Sequence, residues 1–208
     1  ITSRFPSFPQ AWVNDRVRAL ATIFLLERKP PDLTLVHFVD HDSEAHEHGP
    51  FSREAKAVLE YTDELSGDVL RATPRDYVVA IVSDHGFERT DKVVHLKAHI
   101  GSGVSITPFL LVAETAEGAA AIRKLRSKQE FGIGREIPAA ELHRLAARYA
   151  KAVAAWEPAP HYAFSAADSP DGQLHSVSRE KGNHGLWPTR PDYRSVLILW
   201  GKGVKAER

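Results

Sequence analysis

Three short runs rich in β-branched and apolar residues, Leu33–Val39, Tyr77–Val82 and Ser195–Trp200, constrain this chain more than any other feature. Each is four to eight residues long, bounded by proline, glycine or charged loop, and apolar at successive positions, which suits a strand covered on both faces. Between the first two, Arg53 to Ala72 places Ala57, Val58, Leu59, Tyr61, Leu65, Val69 and Leu70 at helical spacing, and Thr73-Pro74 ends the pattern. Strand, helix and strand in this order form a βαβ unit with a right-handed crossover. The expectation is an α/β fold in which Leu33–Val39 and Tyr77–Val82 are parallel neighbours, so that Asp42 and Asp84 follow strand ends on one edge.

Other segments fill in around this frame. Gln10 to Arg28 reads as an amphipathic helix stopped by Pro30-Pro31, and Asp40 to Pro50 as polar loop. Val104 to Val112 reads as one strand, Ala116 to Arg126 and Ala139 to Trp156 as helices, and Pro158 to Ser178 as short strand-like pieces with turns. Lys128 to Pro138 is the one linker-like stretch, read as a surface excursion. At 208 residues and 43% hydrophobic content the chain suits one domain with a real core.

Charge and cysteine usage narrow the chemistry. Lys plus Arg and Asp plus Glu number 27 each, so net charge points to no nucleic-acid polymer, membrane or polyanion. With no cysteine, disulfides and thiolate ligands are excluded, and a metal site must use histidine and carboxylate. No run approaches the roughly 20 apolar residues of a membrane span, and no secretion signal opens the chain. The chain also lacks methionine, so Ile1 is not an initiator and the expectation is a processed or truncated sequence.

The residues best suited to metal lie in three stretches: Asp42-Ser-Glu-Ala-His46, Ser83-Asp84-His85-Gly86 and Gly182-Asn-His184-Gly185. Asp42 and His46, four residues apart, form a half-site when the chain between them turns tightly. The adjacent pair Asp84-His85 either turns toward one ion through the flexible backbone at Gly86 or is divided between two. His184 lies between glycines that let backbone approach a ligand closely. Open α/β sheets put their ligands at strand ends of this kind. Asp40 competes with Asp42 as a ligand, His41 and His48 flank the pair as supporting or substrate contacts, and His37 reads as a core histidine in a buried strand. His95, His99, His143, His161 and His175 read as surface or local hydrogen-bonding residues, with Lys97 a weak candidate for a substrate phosphate.

Asp42-Ser-Glu-Ala-His46-Glu-His-Gly49-Pro50, Ser83-Asp84-His85-Gly86, and Gly182-Asn-His184-Gly185 followed by Pro191-Asp192-Tyr-Arg-Ser together resemble the motif set of the type I phosphodiesterase and nucleotide pyrophosphatase family of the alkaline phosphatase superfamily. The likeness spans roughly residues 33 to 204, with Ala45 standing where the family usually has glycine. It implies an alkaline-phosphatase-like three-layer α/β/α sandwich with a mostly parallel central sheet. Residues 1–208 would form a single partial catalytic domain, with 87–180 as a less regular excursion and the N-terminal part missing.

By the same resemblance, Asp42, His46 and His184 bind one divalent ion, and Asp84 and His85 the other. Zinc is the first choice, with manganese and iron also compatible. The second ion would take a further Asp and the oxygen of a Ser or Thr nucleophile, both upstream in the family. Thr2 and Ser3 read as ordinary hydroxyls, so no catalytic nucleophile is assigned within the chain. The implied function is hydrolysis of phosphodiesters or nucleotide pyrophosphates through a phosphoryl-enzyme, acting on a small phosphate ester or nucleotide. Alternatives are a phosphonate hydrolase, phosphomonoesterase, sulfatase or phosphoglycerate mutase of the same superfamily, or a non-catalytic metal-binding module. A periplasmic or secreted location follows from the family alone.

Overall fold

The computed structural model describes residues 14–145, 147–169, 171–190 and 193–205. They fall into two compact units, one built from the described residues up to Asp84 together with those from Ser195 onward, the other spanning His85–Arg194.

In the first unit, helix α1 (Asp15–Arg28) starts at Asn14, whose side chain accepts the Val17 N–H, and helix α3 (Arg53–Ala72) starts at Ser52, which accepts the Ala55 N–H. Both are side-chain N-caps that satisfy amides the helix itself leaves open. Helix α2 (Asp40–His48) lies between them in sequence, and α1 and α2 both pack on α3. Strand β1 (Val78–Val82) pairs antiparallel with β10 (Leu197–Gly201), Val78 opposite Gly201 and Val82 opposite Leu197.

The sequence-based expectations for this unit hold for α3, match α1 from Asp15 onward, and find β1 and β10 close to their expected places. The rest of the Gln10–Arg28 helix, like Thr2 and Ser3, lies outside the described residues. Two readings are corrected. Leu33–Val39 forms no ladder, and Asp40–His48, expected as loop, is helix. The extended segment keeps its alternation, but Leu33 and Leu35 are 73% and 86% exposed and His37 is exposed rather than core. The Val39 amide donates to Asp15 instead of to a neighbouring strand, and the chain turns directly into α2. β1 and β10 likewise leave Val78, Val82 and Leu197 to Trp200 exposed.

The second unit is built on two four-stranded sheets. In the first, β2 (Glu88–His95) is central: it pairs parallel with β7 (His161–Ser165), antiparallel with β8 (His175–Val177), and, at its start, antiparallel with β9 (Gly182–Asn183). In the second, β3 (Val104–Thr107), β4 (Leu110–Ala113), β6 (Ala154–Pro158) and β5 (Ile133–Pro138) lie in that order, all antiparallel. Helix α4 (Ala116–Arg126) packs on β4 and β5, and α5 (Ala139–Leu145) on β5 and β6. Leu111, Ile122, Ile137, Leu142 and Trp156 are fully buried here.

α4 matches its expected bounds, while three readings fail. Lys128–Pro138, expected as a surface excursion, contains β5, which pairs with β6 and buries Ile133 and Ile137. Val104–Val112 is a hairpin, because Pro108 has no N–H for a ladder and the chain reverses there. Ala139–Trp156, expected as one helix, stops at Leu145 and returns as β6, every residue of which is buried. Alanine's helix propensity, a few tenths of a kcal/mol per residue, is outweighed by burial between two flanking strands. Among the described residues no helix is long and apolar enough to cross a membrane.

Candidate metal-binding residues

Within the first unit, α2 carries Asp42 and His46 one helical turn apart, so i,i+4 geometry puts both on one face. Asp42 Oδ2 lies 3.7 Å from His46 Nε2, with the two side chains 41% and 22% exposed. That separation is longer than a hydrogen bond. It is close to the spacing of about 3.3 Å between two ligand atoms of a tetrahedral zinc with bonds near 2.0–2.1 Å. The donor set, one carboxylate and one imidazole, fits such an ion. Gly49, at φ +96°, ends the helix, its N–H donating to the Ala45 carbonyl, and Pro50 follows.

Neighbouring groups divide between support and surface. Asp40 is engaged, its Oδ2 accepting the Asp15 N–H at 3.0 Å. His41 is held below the ordinary imidazole pKa by burial, against the opposing pull of the Asp42 charge. His48 faces Glu44 at 3.5 Å. At the end of β1, Ser83 donates its N–H to the Val196 carbonyl and accepts the Val196 N–H on Oγ at 2.9 Å, tying the backbone just before Asp84 to the residue that precedes β10.

In the second unit, strand register brings two motifs together. Antiparallel pairing of Glu88 with Asn183 and Arg89 with Gly182 brings the residues just before β2 alongside those just after β9. The His85 and His184 rings consequently stack, centroids 3.7 Å apart and planes 13° from parallel. Phe87 meets both edge-on, at 5.5 Å and 5.3 Å. His85 Nδ1 lies 3.1 Å from the Gly86 carbonyl oxygen, so a hydrogen on Nδ1 donates there and leaves Nε2 as the ligand atom.

Tyr193 fixes the backbone of both motifs. Its hydroxyl accepts the Gly185 N–H at 2.6 Å, and a Cβ added at Gly86 would sit 3.3 Å from Tyr193 Cα. Gly185 adopts φ +95°, where a side chain is strained, so these two glycines answer to real backbone demands. Tyr193 is 8% exposed and packs with Phe109, Ala163 and Leu186. Arg190 Nη2 pairs with Glu88 Oε2 at 2.6 Å, which links the chain after His184 to the first residue of β2.

The structure thus joins Asp42 with His46, and His85 with His184. Pro191 and Asp192 of the third motif lie outside the described residues. Sequence reasoning missed Asp15, and it quoted Ser83 and Tyr193 within the motifs without their roles, because all three act through backbone contacts that carry little local signal. His95 bonds Ser176 Oγ at 2.9 Å and His143 meets the Ala152 carbonyl at 3.0 Å, as expected of hydrogen-bonding histidines, while Lys97, the weak candidate for a substrate phosphate, pairs with Asp168 at 2.6 Å.

Fold and motif chemistry define an α/β protein with paired carboxylate and imidazole donors beside strand and helix termini. The profile of the type I phosphodiesterase / nucleotide pyrophosphatase family matches residues 3–191, and the chain belongs to that family. Human ectonucleotide pyrophosphatase / phosphodiesterase 5 has a similar fold, with a TM-score of 0.61 at 14% identity over 92% of this chain and 53% of that one. The murine protein of the same name gives 0.59 at 14% identity over 91% and 53%, as does its inactive variant in complex with AMP. This chain therefore spans about half the length of these solved relatives. A search of curated proteins found no match.

Proposed function

We propose that this chain supplies the metal-binding part of a catalytic domain that hydrolyses phosphodiesters or nucleotide pyrophosphates. In this reading residues 1–208 are one partial domain, 87–180 is its less regular excursion, and a Ser or Thr nucleophile comes from upstream. Asp42, His46 and His184 hold one divalent ion, and Asp84 and His85 hold part of the coordination sphere of a second. Zinc suits these ligands best. When bound, the two ions neutralise phosphoryl oxygens and lower the pKa of the attacking hydroxyl.

The chain's own residues orient these donors. A hydrogen on His85 Nδ1 would donate to the Gly86 carbonyl and leave Nε2 as the ligand atom, Tyr193 holds the loop after His184, and Ser83 anchors the backbone before Asp84. The observation that carries the reading is the His85–His184 stack. The stack sets side by side two imidazoles that the family assigns to different ions, as a two-metal phosphoryl-transfer site requires of neighbouring ligands. The complex of the murine relative's inactive variant with AMP supports a nucleotide as the substrate class.

The test is zinc content and hydrolysis of an aryl phosphodiester by the natural full-length protein, with Asp84→Ala and His184→Ala as controls. The expected result is bound zinc and activity in the parent, with both reduced in the variants. A metal-free, inactive parent overturns the proposal, and bound zinc without hydrolysis points to a metal-binding module.

A further inference from the structure

Helix α2, which carries Asp42 and His46, has no side-chain cap of its own: its N-cap position is Val39. The cap comes from Asp15, remote in sequence. The Asp15 carboxylate accepts the Val39 N–H at 2.9 and 3.0 Å and the Asp40 N–H at 2.9 Å, and Arg18 Nη1 donates to it at 2.7 Å. In return, Asp40 Oδ2 accepts the Asp15 N–H at 3.0 Å. Two helix N-termini are thereby joined by exchanged carboxylates.

Asp15 is 1% exposed. A buried carboxylate is costly unless its oxygens are filled, and here two amides, a guanidinium and the positive end of a helix fill them. A Ser or Thr at position 39 would cap other amides, those of His41 or Asp42, and leave the Val39 and Asp40 N–H groups to Asp15. A remote carboxylate adds something a local cap lacks, because it fixes where α2 begins relative to α1. Asp42 lies two residues beyond Asp40, about 3 Å along the axis, and His46 about 9 Å along it. A one-residue slip would rotate the pair by about 100°.

We infer that Asp15 is a positioning residue for the Asp42–His46 donor pair, an assignment that rests on the metal-binding reading above. Three variants test it in the 208-residue chain: Asp15→Asn, which turns a donor toward the amides; Asp15→Asn with Val39→Ser, which restores a local cap; and Leu26→Ala, which removes a buried side chain at the far end of α1. Zinc affinity is measured by chelator competition at a temperature where circular dichroism shows each variant folded. Amide exchange across residues 39–48 is followed in metal-free protein.

Asp15→Asn should weaken zinc binding about tenfold, the size expected when a partner that orients ligands is lost. It should also speed exchange across 39–48. The double variant should recover slow exchange from residue 41 onward but not zinc affinity, and Leu26→Ala should keep wild-type affinity. Wild-type affinity in Asp15→Asn overturns the inference, as does full recovery in the double variant or an equal loss in Leu26→Ala. If the parent binds no zinc, the metal-binding reading fails and this inference fails with it.

Discussion

Tyr193→Phe removes one hydroxyl from the link between the loops that carry His85 and His184. The ring, 8% exposed among Phe109, Ala163 and Leu186, keeps its packing, so the loss is confined to the bond from Gly185 N–H at 2.6 Å. A buried amide left without an acceptor costs about 1–3 kcal/mol, but Gly185 is exposed and water can replace the hydroxyl. The smaller net value of a hydrogen bond, about 1 kcal/mol, is therefore expected. By contrast Tyr193→Ala discards a buried aromatic and should cost about 3–5 kcal/mol. Urea unfolding of both variants gives the global loss, and NMR exchange of the Gly185 amide gives the local one. Tyr193→Phe should speed that exchange about fivefold, the factor that corresponds to 1 kcal/mol. Unchanged exchange in the Phe variant, or a stability loss equal to that of the Ala variant, would refute the reasoning.

The β1–β10 ribbon depends on Gly201, at φ +123°, where an added Cβ would overlap the Tyr77 carbonyl oxygen; Gly201→Ala should cost about 1–3 kcal/mol in thermal unfolding. Ile122→Ala on α4, at 0% exposure, should lower stability by about 2–5 kcal/mol in urea titration, set by the cavity left against Leu111 and Trp156. Acid should destabilise the second unit through Glu136 and Glu141. Glu136 is held below the ordinary carboxylate range chiefly by its hydrogen bond from Arg123. Burial alone would raise Glu141, but bonds from Arg135, Trp187 and Thr189 outweigh it and the net shift is downward. Lowered folded-state values mean that the unfolded chain binds more protons, so this stability is present above about pH 4.3 and is lost as pH falls further. Unfolding midpoints measured from about pH 6 to about pH 3 should drop less steeply in Glu136→Gln and Glu141→Gln.

Segments whose structure is set locally were legible in the sequence. α3 shows helical spacing, a Ser52 cap and a Thr73-Pro74 stop, and the structure places it at Arg53–Ala72. α4 runs over Ala116–Arg126, as expected, and the structure adds its Thr115 cap. Segments whose state is decided by distant partners were not. Ala154–Trp156 reads as the end of a helix, yet β4 and β5 capture it as part of the buried strand β6. The motif residues were legible because donor chemistry is carried by residue type. Their support was not, since Ser83 and Tyr193 act through backbone groups up to 113 residues away in sequence.

Helix α2 shows why the same nine residues can be read correctly for chemistry and wrongly for structure. Asp40 to His48 is Asp-His-Asp-Ser-Glu-Ala-His-Glu-His, with no apolar stripe; only Ala45 is buried. On propensity and periodicity it resembles loop, and a helix this short is marginal in isolation. What stabilises it lies elsewhere: the Asp15 carboxylate at its N-terminus, packing against α3, acidic residues in its first turn and the Gly49 stop. The i,i+4 spacing that suggested a half-site in a tightly turning loop is the spacing that a helix turns onto one face. Asp42 and His46 therefore face one another because the segment is helical, and it is helical because α3 packs against it while a residue on α1 reaches its first amides.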